Sequence, residues 1–211
     1  MKPAQNTFIL QADFLYFGYP DKALFSNFST SISPRITLIR GGDGSGKSTL
    51  LKLLAGVLPL QSGQLHINGI SLQKQPENYT ACVFLAELRT DSFDQFTVPD
   101  YFELQRSKHA GFNDSVLAEI TDGLGLEEHM HKQLFMLSTG SKRKVFLAAA
   151  LASSAQVTLL DDPFAALDTA SIRFVLGWLN AAASATDRAW VIAGHVAPDG
   201  LPLAQIIDLG D

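Results

Sequence analysis

The apolar positions of this chain follow two different spacings along its length. Runs rich in β-branched and aromatic residues predict strands at residues 7–17, 24–32, 36–40, 65–69, 81–85, 157–160, 190–193 and 205–208. Leucine and alanine at helical spacing predict helices at residues 47–57, 142–152 and 171–183, the first ended by Pro59 and Gly63. Apolar strands that alternate with helices predict an α/β fold with a mostly parallel sheet, helices on both of its faces and an antiparallel β start.

The middle of the chain has a different character. Residues 87–140 hold most of the histidines and few β-branched residues, which predicts short helices and loops. The sequence contains neither an internal repeat nor a low-complexity linker. We therefore predict a single domain over residues 1–211, in which residues 1–86 and 141–211 form the α/β core and residues 87–140 form a helical insertion.

The strongest chemical signal is the sequence GGDGSGKS at residues 41–48, between a predicted strand and a predicted helix. It matches the phosphate-loop pattern, in which glycines let several backbone N–H groups turn toward one anion. The following helix adds the positive end of its dipole. Lys47 would reach the β- and γ-phosphates, and Ser48 would bind Mg²⁺. The predicted nucleotide-binding residues of this loop are Gly41, Gly42, Asp43, Gly44, Ser45, Gly46, Lys47, Ser48 and Thr49.

A second signal is the acid pair Asp161-Asp162 directly after the apolar strand at residues 157–160. The carboxyl ends of parallel strands are where ligands bind in open α/β sheets. Asp161 would hold Mg²⁺, and Asp162 would lie where a general base could orient an attacking water. An acid pair after a strand is by itself a weak signal, but beside a phosphate loop it indicates a nucleotide hydrolase with Mg²⁺ as a cofactor.

The kind of hydrolase is indicated by the sequence LSTGSKRK at residues 137–144. It resembles the signature motif of ATP-binding cassette proteins, usually Leu-Ser-Gly-Gly-Gln followed by basic residues. Thr139 replaces one of the glycines and Ser141 replaces the glutamine. Three further residues stand where the family has its D-loop aspartate, its switch histidine and an aromatic that stacks on adenine, namely Asp168, His195 and Tyr19.

The resemblance covers essentially the whole chain and carries implications about assembly. In that family two cassettes pack head to tail, with ATP between the phosphate loop of one and the signature motif of the other. The resemblance implies that the nucleotide is ATP, that Ser138, Gly140 and Asp168 bind it, and that His195 is catalytic. It also implies two kinds of partner: a second ATPase subunit, identical or different, and separate transmembrane permease subunits. The second hypothesis is a soluble assembly or regulatory ATPase of the same superfamily, with slow hydrolysis and no membrane partner.

Several of these residues also have an ordinary structural interpretation. Ser138 could be a helix N-cap. Residues 142–144 fit a solvated basic helix face better than a phosphate clamp. Tyr19 competes with Tyr16 and Phe17 for the adenine position, and core packing is the alternative for all three.

The chain departs from the family pattern at two catalytic positions. Asp162 stands where the family has glutamate and is one methylene shorter, which predicts slow hydrolysis because a general base must reach its water. Leu85 takes the place that a metal-contacting glutamine holds in the commonest alignment. Glu87 could supply that contact if the loop is shifted, and we include it among the predicted metal ligands with Ser48 and Asp161.

Composition narrows the partners and the compartment. With 16 Lys+Arg against 21 Asp+Glu the formal net charge is −5, which argues against nucleic-acid binding. The single cysteine, Cys82, fits a reducing compartment and is predicted to be a buried apolar residue. No apolar run reaches the roughly 18–20 residues of a membrane span, and residues 1–6 lack a signal-peptide core. We therefore predict a cytoplasmic protein that is peripheral at the cytoplasmic face of the membrane.

Overall fold

The computed structural model describes residues 8–210. Residues 1–6 and Thr7, with which the first strand was predicted to begin, lie outside the described residues. The strands are β1 Leu10–Tyr19, β2 Lys22–Ile32, β3 Arg35–Arg40, β4 Ser62–Ile67, β5 Ile70–Ser71, β6 Val83–Ala86, β7 Val157–Asp161, β8 Ala189–Gly194 and β9 Leu203–Asp208. The α-helices are α1 Lys47–Leu54, α2 Pro76–Ala81, α3 Val98–Lys108, α4 Asp114–Gly123, α5 Thr139–Ala152 and α6 Thr169–Ala182.

Five strands form a parallel sheet in the order β6-β7-β8-β3-β9, in which every neighbouring pair is parallel. Its central strands are buried on both faces, because alternate residues enter two different clusters. Leu159 and Val191 pack on the side of α1, whereas Leu160 and Ile192 pack on the side of α5 and α6. This confirms the predicted parallel sheet with helices on both faces.

An antiparallel sheet in the order β2-β1-β4-β5 precedes and flanks this core. β1 and β2 form the predicted hairpin, which Pro20 and Asp21 close. Both sheets contribute to one apolar cluster, and α1 lies within it. The leucines Leu50, Leu51, Leu53 and Leu54 of α1 are fully buried there, which holds the start of the helix in a fixed place.

Helix α1 ends earlier than predicted. Gly56 has φ of +71°, a left-handed conformation that ends helices at glycine, so the helix stops at Leu54 before Pro59 and Gly63 are reached. Val57 was predicted to be helical and instead lies outside the helix, 61% exposed. The helical leucine spacing continues beyond the end of α1 to Leu58. This residue lies in the following loop and packs on the same cluster as the leucines of the helix.

Helix α2 is absent from the sequence prediction, which placed a strand at residues 81–85. Its sequence PENYTA is polar and has no apolar repeat, and Pro76 at its first position is the main signal for it. Ala81 is therefore helical and the strand begins at Val83. Cys82, between the two, is half-buried rather than buried, and its partial burial raises the pKa of the thiol.

Residues between β6 and α5 form α3, α4 and two short 3-10 helices, in agreement with the predicted short helices and loops. They cover α5, whose residues from Val145 to Ala152 are all buried. Helix α5 therefore connects the sheet to the helical segment, although the division of the chain at residues 87 and 140 stays a prediction. No helix described between residues 8 and 210 combines the length and the apolar character that a membrane crossing demands.

Candidate active site

The phosphate loop lies between β3 and α1, as the sequence predicts. Gly46 has φ of +99°, a left-handed conformation that glycine adopts without strain. It holds the N-cap position of α1, where none of the described side chains caps the helix. The first N–H groups of α1 are therefore available to an anion, which is the usual way in which a helix start binds phosphate.

A cavity of about 410 Å³ opens beside this loop. Lys47 lies in its wall, and the Lys47 ammonium donates to the carbonyl oxygens of Gly41 and Gly42 at 2.7 Å each. The Lys47 side chain therefore folds back over its own loop. A bound phosphate would compete with these two carbonyl oxygens for the ammonium. Of the predicted site residues, the cavity is lined by Tyr19, Asp43, Gly44, Gly46, Lys47, Ser48, Thr49, Asp161, Asp162 and His195.

Of the three aromatic residues near the first turn, Tyr19 is the one in the cavity wall. It is 51% exposed, and its hydroxyl lies 3.3 Å from the hydroxyl of Thr49. Phe17 is buried and supports the Tyr19 ring edge-to-face, with 5.3 Å between ring centroids. The structure therefore offers the Tyr19 ring to a ligand and assigns Phe17 to the core.

Asp161 and Asp162 end β7 at the carboxyl edge of the parallel sheet, beside the phosphate loop. Asp162 has φ of +49°, and its N–H donates to the carbonyl of Ala193 at 2.9 Å. Its carboxylate Oδ2 accepts from Nη2 of Arg89 at 2.7 Å. The sequence placed Asp162 in the site, whereas its ion pair with Arg89 is a feature of the tertiary structure alone.

His195 follows the end of β8, the strand between β7 and β3 in the sheet, and lines the same cavity. Its Nε2 lies 3.2 Å from Oδ1 of Asp43 in the phosphate loop. Both side chains are largely exposed, so either can change partner when a ligand enters. The predicted switch histidine therefore lies against the phosphate loop of its own chain.

A smaller cavity of about 220 Å³ adjoins the first and is lined by Ser48, Glu87 and Asp161. One hydroxyl and two carboxylates are the oxygen donors that Mg²⁺ prefers, together with water and phosphate, so these residues fit the ion. Glu87 directly follows β6 and lies 3.8 Å from the Lys52 ammonium. Leu85 is a strand residue that packs partly on the core, so of the two candidates only Glu87 brings a charged oxygen to this edge.

Six predicted nucleotide-binding residues lie outside the lining of the phosphate-loop cavity. Gly41, Gly42 and Ser45 belong to the loop itself, whereas Ser138, Gly140 and Asp168 lie in other segments. Ser138 is exposed and caps α5 by accepting from the N–H of Ser141 at 3.1 Å. Asp168 is exposed and caps α6, accepting from the N–H of Ser171 at 2.8 Å. The N-cap interpretation of Ser138 is therefore correct, and the Ser138 hydroxyl also lies 2.9 Å from the hydroxyl of Ser141.

Gly140 has a packing reason to be glycine. A Cβ there would lie 2.7 Å from the carbonyl oxygen of Ala166, so a side chain at this position would collide with backbone. Lys144 forms an ion pair of 2.7 Å with Asp168, and this hydrogen bond holds the pKa of the Asp168 carboxyl well below its usual range. The signature segment and the D-loop segment therefore contact each other within one chain.

The solvated interpretation of the basic run at residues 142–144 is wrong. Arg143 is buried, and its Nη1 donates to the carbonyl of Ala165 at 2.7 Å and to that of Asp162 at 3.3 Å. Lys142 pairs with Asp91 at 2.7 Å, and Lys144 pairs with Asp168. The three side chains leave α5 in different directions, because consecutive helix positions point about 100° apart, and each fixes a different segment.

The sequence analysis missed Lys22, Arg89 and Arg143. Lys22 lines the phosphate-loop cavity and donates to the carbonyl of Gly44 at 3.3 Å. Arg89 stands three residues after the end of β6, and the carboxyl end of a parallel strand was a signal that could have identified it. No local signal distinguishes Arg143 from the lysines on either side of it in the sequence.

Comparison with known proteins agrees with this geometry. The family model described as "ABC transporter" matches residues 25–165. A cytochrome c biogenesis ATP-binding export protein of Wolbachia pipientis wMel is 32% identical over 194 residues, which cover 90% of this chain and 90% of that protein. ATP-binding cassette sub-family A member 17 of Rattus norvegicus is 30% identical over 145 residues, which are 67% of this chain and only 8% of that much longer protein.

Solved structures show the same fold. The structure titled "Structure of ATP binding subunit of ABC transporter" superposes with a TM-score of 0.79 at 21% identity, and covers 89% of this chain and 80% of that chain. At this identity the match bears on the fold alone. It confirms the predicted fold class of a phosphate-loop hydrolase core with an antiparallel β start.

Proposed function

The chain belongs to the ATP-binding cassette family as an ATP-binding subunit of the transporter kind, and on that premise we propose how it works. It binds Mg-ATP at the phosphate-loop cavity, pairs head to tail with a second cassette, and hydrolyses ATP slowly to power separate transmembrane permease subunits. In this proposal the chain acts at the cytoplasmic face of the membrane. The substrate is chosen by the permease subunits.

The observation that carries the proposal is the division of the predicted site into two halves. One half surrounds the cavity of about 410 Å³ and holds Lys47, Asp162 and His195. The other half, with Ser138 and Asp168, is exposed at two helix starts and does not line that cavity. A chain that carries each half once, apart from the other, completes a site when a second copy or a related subunit supplies the missing half.

The start of α5 suits a phosphate from a partner chain. Its first residues Thr139 and Gly140 have no acidic neighbour in the first turn, and the helix dipole places partial positive charge there. The Ser138 hydroxyl is exposed beside these N–H groups and can act as donor to an anion while it caps the helix. ATP between the two halves would then link binding energy to dimerisation.

The chemical step assigns separate tasks to the residues of the cavity. Lys47 and the N–H groups of the loop bind the phosphates, while Ser48, Asp161 and Glu87 would hold Mg²⁺, which neutralises phosphate charge. Asp162 accepts a hydrogen bond from a water molecule and receives its proton. The water oxygen bonds to the γ-phosphorus, and the bond from the γ-phosphorus to the bridging oxygen breaks, which yields ADP and phosphate. His195 would leave Asp43 to contact the γ-phosphate.

Slow hydrolysis follows from the length of the Asp162 side chain. This side chain is one methylene shorter than the glutamate of the family pattern, and a misplacement of about 1 Å can reduce a rate on the order of 10²-fold. The difference affects the water-orienting group and leaves the phosphate loop intact.

The proposal predicts that Mg-ATP dimerises the wild-type chain and that Ser138→Arg abolishes the dimer. An arginine at this position would place a bulky cation where the partner's nucleotide must lie. Sedimentation velocity with and without Mg-ATP measures the fraction of dimer. A wild type that dimerises only with a second cassette would identify a heteromeric pair.

Two further variants control this experiment. Lys47→Ala should stay monomeric because it loses a charge-assisted contact to the phosphates. Asn113→Arg removes the exposed N-cap of α4, where the Asn113 side chain accepts from the N–H of Val116 at 3.1 Å, and should dimerise like the wild type. If Ser138→Arg and Asn113→Arg dimerise equally well, the head-to-tail site is incorrect.

A further inference from the structure

We infer that Arg89 is a γ-phosphate-binding residue, which exchanges the carboxylate of Asp162 for the γ-phosphate when ATP enters. The inference rests on the proposed function, because it assigns a role within the same nucleotide site. It adds a residue to which neither the phosphate loop nor the signature motif points. In this role Arg89 also keeps the carboxylate of Asp162, the proposed general base, hydrogen-bonded until a nucleoside triphosphate binds.

The position of Arg89 supports this role. Arg89 lines the cavity of about 410 Å³ together with Lys47 and His195. It also lines the adjoining cavity of about 220 Å³ together with Ser48 and Asp161. Its guanidinium therefore lies at the border of the phosphate-loop cavity and the predicted metal cavity, which is where the terminal phosphate of a bound triphosphate would end.

The state of the Arg89 side chain allows the exchange. Its ion pair with Asp162 is short, at 2.7 Å, yet the side chain of Arg89 is 68% exposed and that of Asp162 is 39% exposed. Ion pairs exposed to this degree contribute little to stability, so their loss costs little. Arginine stays charged at all relevant pH values and presents five donors in a planar fork that matches phosphate oxygens.

The charges of the two partners favour the phosphate. A terminal phosphate carries more negative charge than a single carboxylate and offers three oxygens to the fork. Bound to it, Arg89 would release Oδ2 of Asp162, which could then accept from the attacking water. ADP has no γ-phosphate and would leave the Arg89–Asp162 pair in place.

Lys22 is the other cation that sequence analysis missed in the cavity wall, and it does not suit this role. Its ammonium donates to the carbonyl oxygen of Gly44 in the phosphate loop, at 3.3 Å. It is not in contact with the acid pair that ends β7. Arg89 alone of the two therefore links the nucleotide cavity to Asp162.

The test compares the affinities of Arg89→Ala for fluorescent analogues of ATP and ADP in the presence of Mg²⁺. We expect ATP binding to weaken about ten- to a hundredfold, the value of a hydrogen bond to a charged group, and ADP binding to change less than about twofold. Arg89→Lys should keep part of the preference for ATP because it retains the charge without the fork. Arg106→Ala removes another exposed arginine that pairs with acids, away from both cavities, and should bind both nucleotides like the wild type.

A second variant tests the exchange itself. Asp162→Asn should bind ATP several-fold more tightly than the wild type, because the amide no longer holds the guanidinium. The double variant with Arg89→Ala should lose that gain. A residue with only a structural role would not couple to Asp162 in this way.

Four outcomes would overturn the inference. Arg89→Ala could weaken ATP and ADP equally, or it could leave ATP binding unchanged and raise the rate of hydrolysis, which would make Arg89 a restraint on Asp162 only. Either result would leave the proposed function intact. A wild-type chain that binds neither nucleotide, or whose binding is unaffected by Lys47→Ala, would overturn the proposed function and this inference with it.

Discussion

Asp162 combines three restraints within one residue. Its φ of +49° is in the left-handed region, which aspartate and asparagine enter more readily than most other residues. Its N–H is bonded to Ala193, and its carboxylate to Arg89. An aspartate at the predicted catalytic position is therefore compatible with the local backbone, and the bond to Ala193 helps to hold that backbone.

We predict that Asp162→Glu raises the rate of ATP hydrolysis and that Asp162→Asn lowers it. Glutamate restores the methylene that brings the carboxylate toward the attacking water, and the increase should lie between a few-fold and about 10²-fold. Steady-state phosphate release at saturating ATP measures all three proteins. A slower Asp162→Glu enzyme would mean that the left-handed backbone already brings the aspartate into reach, and equal rates would remove residue 162 from catalysis.

At the scale of elements, α5 is the helix that joins the functional segments. Its start carries Ser138 and Gly140, and its body is buried between the sheet and the helical segment. Arg143 connects the start of α5 to the turn after β7, because its guanidinium donates to the carbonyl oxygens of Asp162 and Ala165. The signature segment and the predicted catalytic acid are therefore connected through one buried side chain.

We predict that Arg143→Ala lowers the free energy of unfolding by about 1–3 kcal/mol, the usual cost of a buried polar group that loses its partner. Urea unfolding measures the change. Arg106→Ala is the matched control, since it removes exposed ion pairs with Glu103 and Asp114 and should cost clearly less. Equal stability of Arg143→Ala and the wild type would mean that water replaces the guanidinium between α5 and the turn.

At the scale of the whole molecule, the phosphate-loop cavity is assembled from segments far apart in the chain. Tyr19 comes from the end of β1, Lys47 from α1, Arg89 from the segment after β6, Asp162 from the end of β7 and His195 from the end of β8. A ligand that contacts all of them binds only the folded chain. Nucleotide binding should therefore stabilise the whole domain.

We predict that Mg-ATP at about 100 times its dissociation constant stabilises the chain by about 2.7 kcal/mol. For a domain of this size that corresponds to a rise in Tm of about 5–10 °C. Differential scanning fluorimetry at several ATP concentrations measures the shift. Lys47→Ala should show little or no shift over the same range, and a wild type without a concentration-dependent shift would contradict nucleotide binding.

The sequence by itself determined the parts of this protein that depend on neighbouring residues. The phosphate loop needs glycines, a lysine and a serine in one continuous stretch, and the strand before it and the helix after it have their own apolar patterns. The order of strands and helices, and therefore the α/β class, follows in the same way. The apolar pattern did not determine the helix ends, since Gly56 ended α1 while the leucine spacing continued, and the polar α2 has no apolar repeat.

Only the tertiary structure decided which charged residues meet. Arg89 and Asp162 are 73 positions apart and form an ion pair because β6 and β7 are neighbours in the sheet. Arg143 and Lys144 are consecutive in the sequence, yet one is buried against backbone carbonyls and the other pairs with Asp168. The order of the strands within the sheet and the packing of the helices bring such pairs together. Neither can be read from the spacing of residues along the chain.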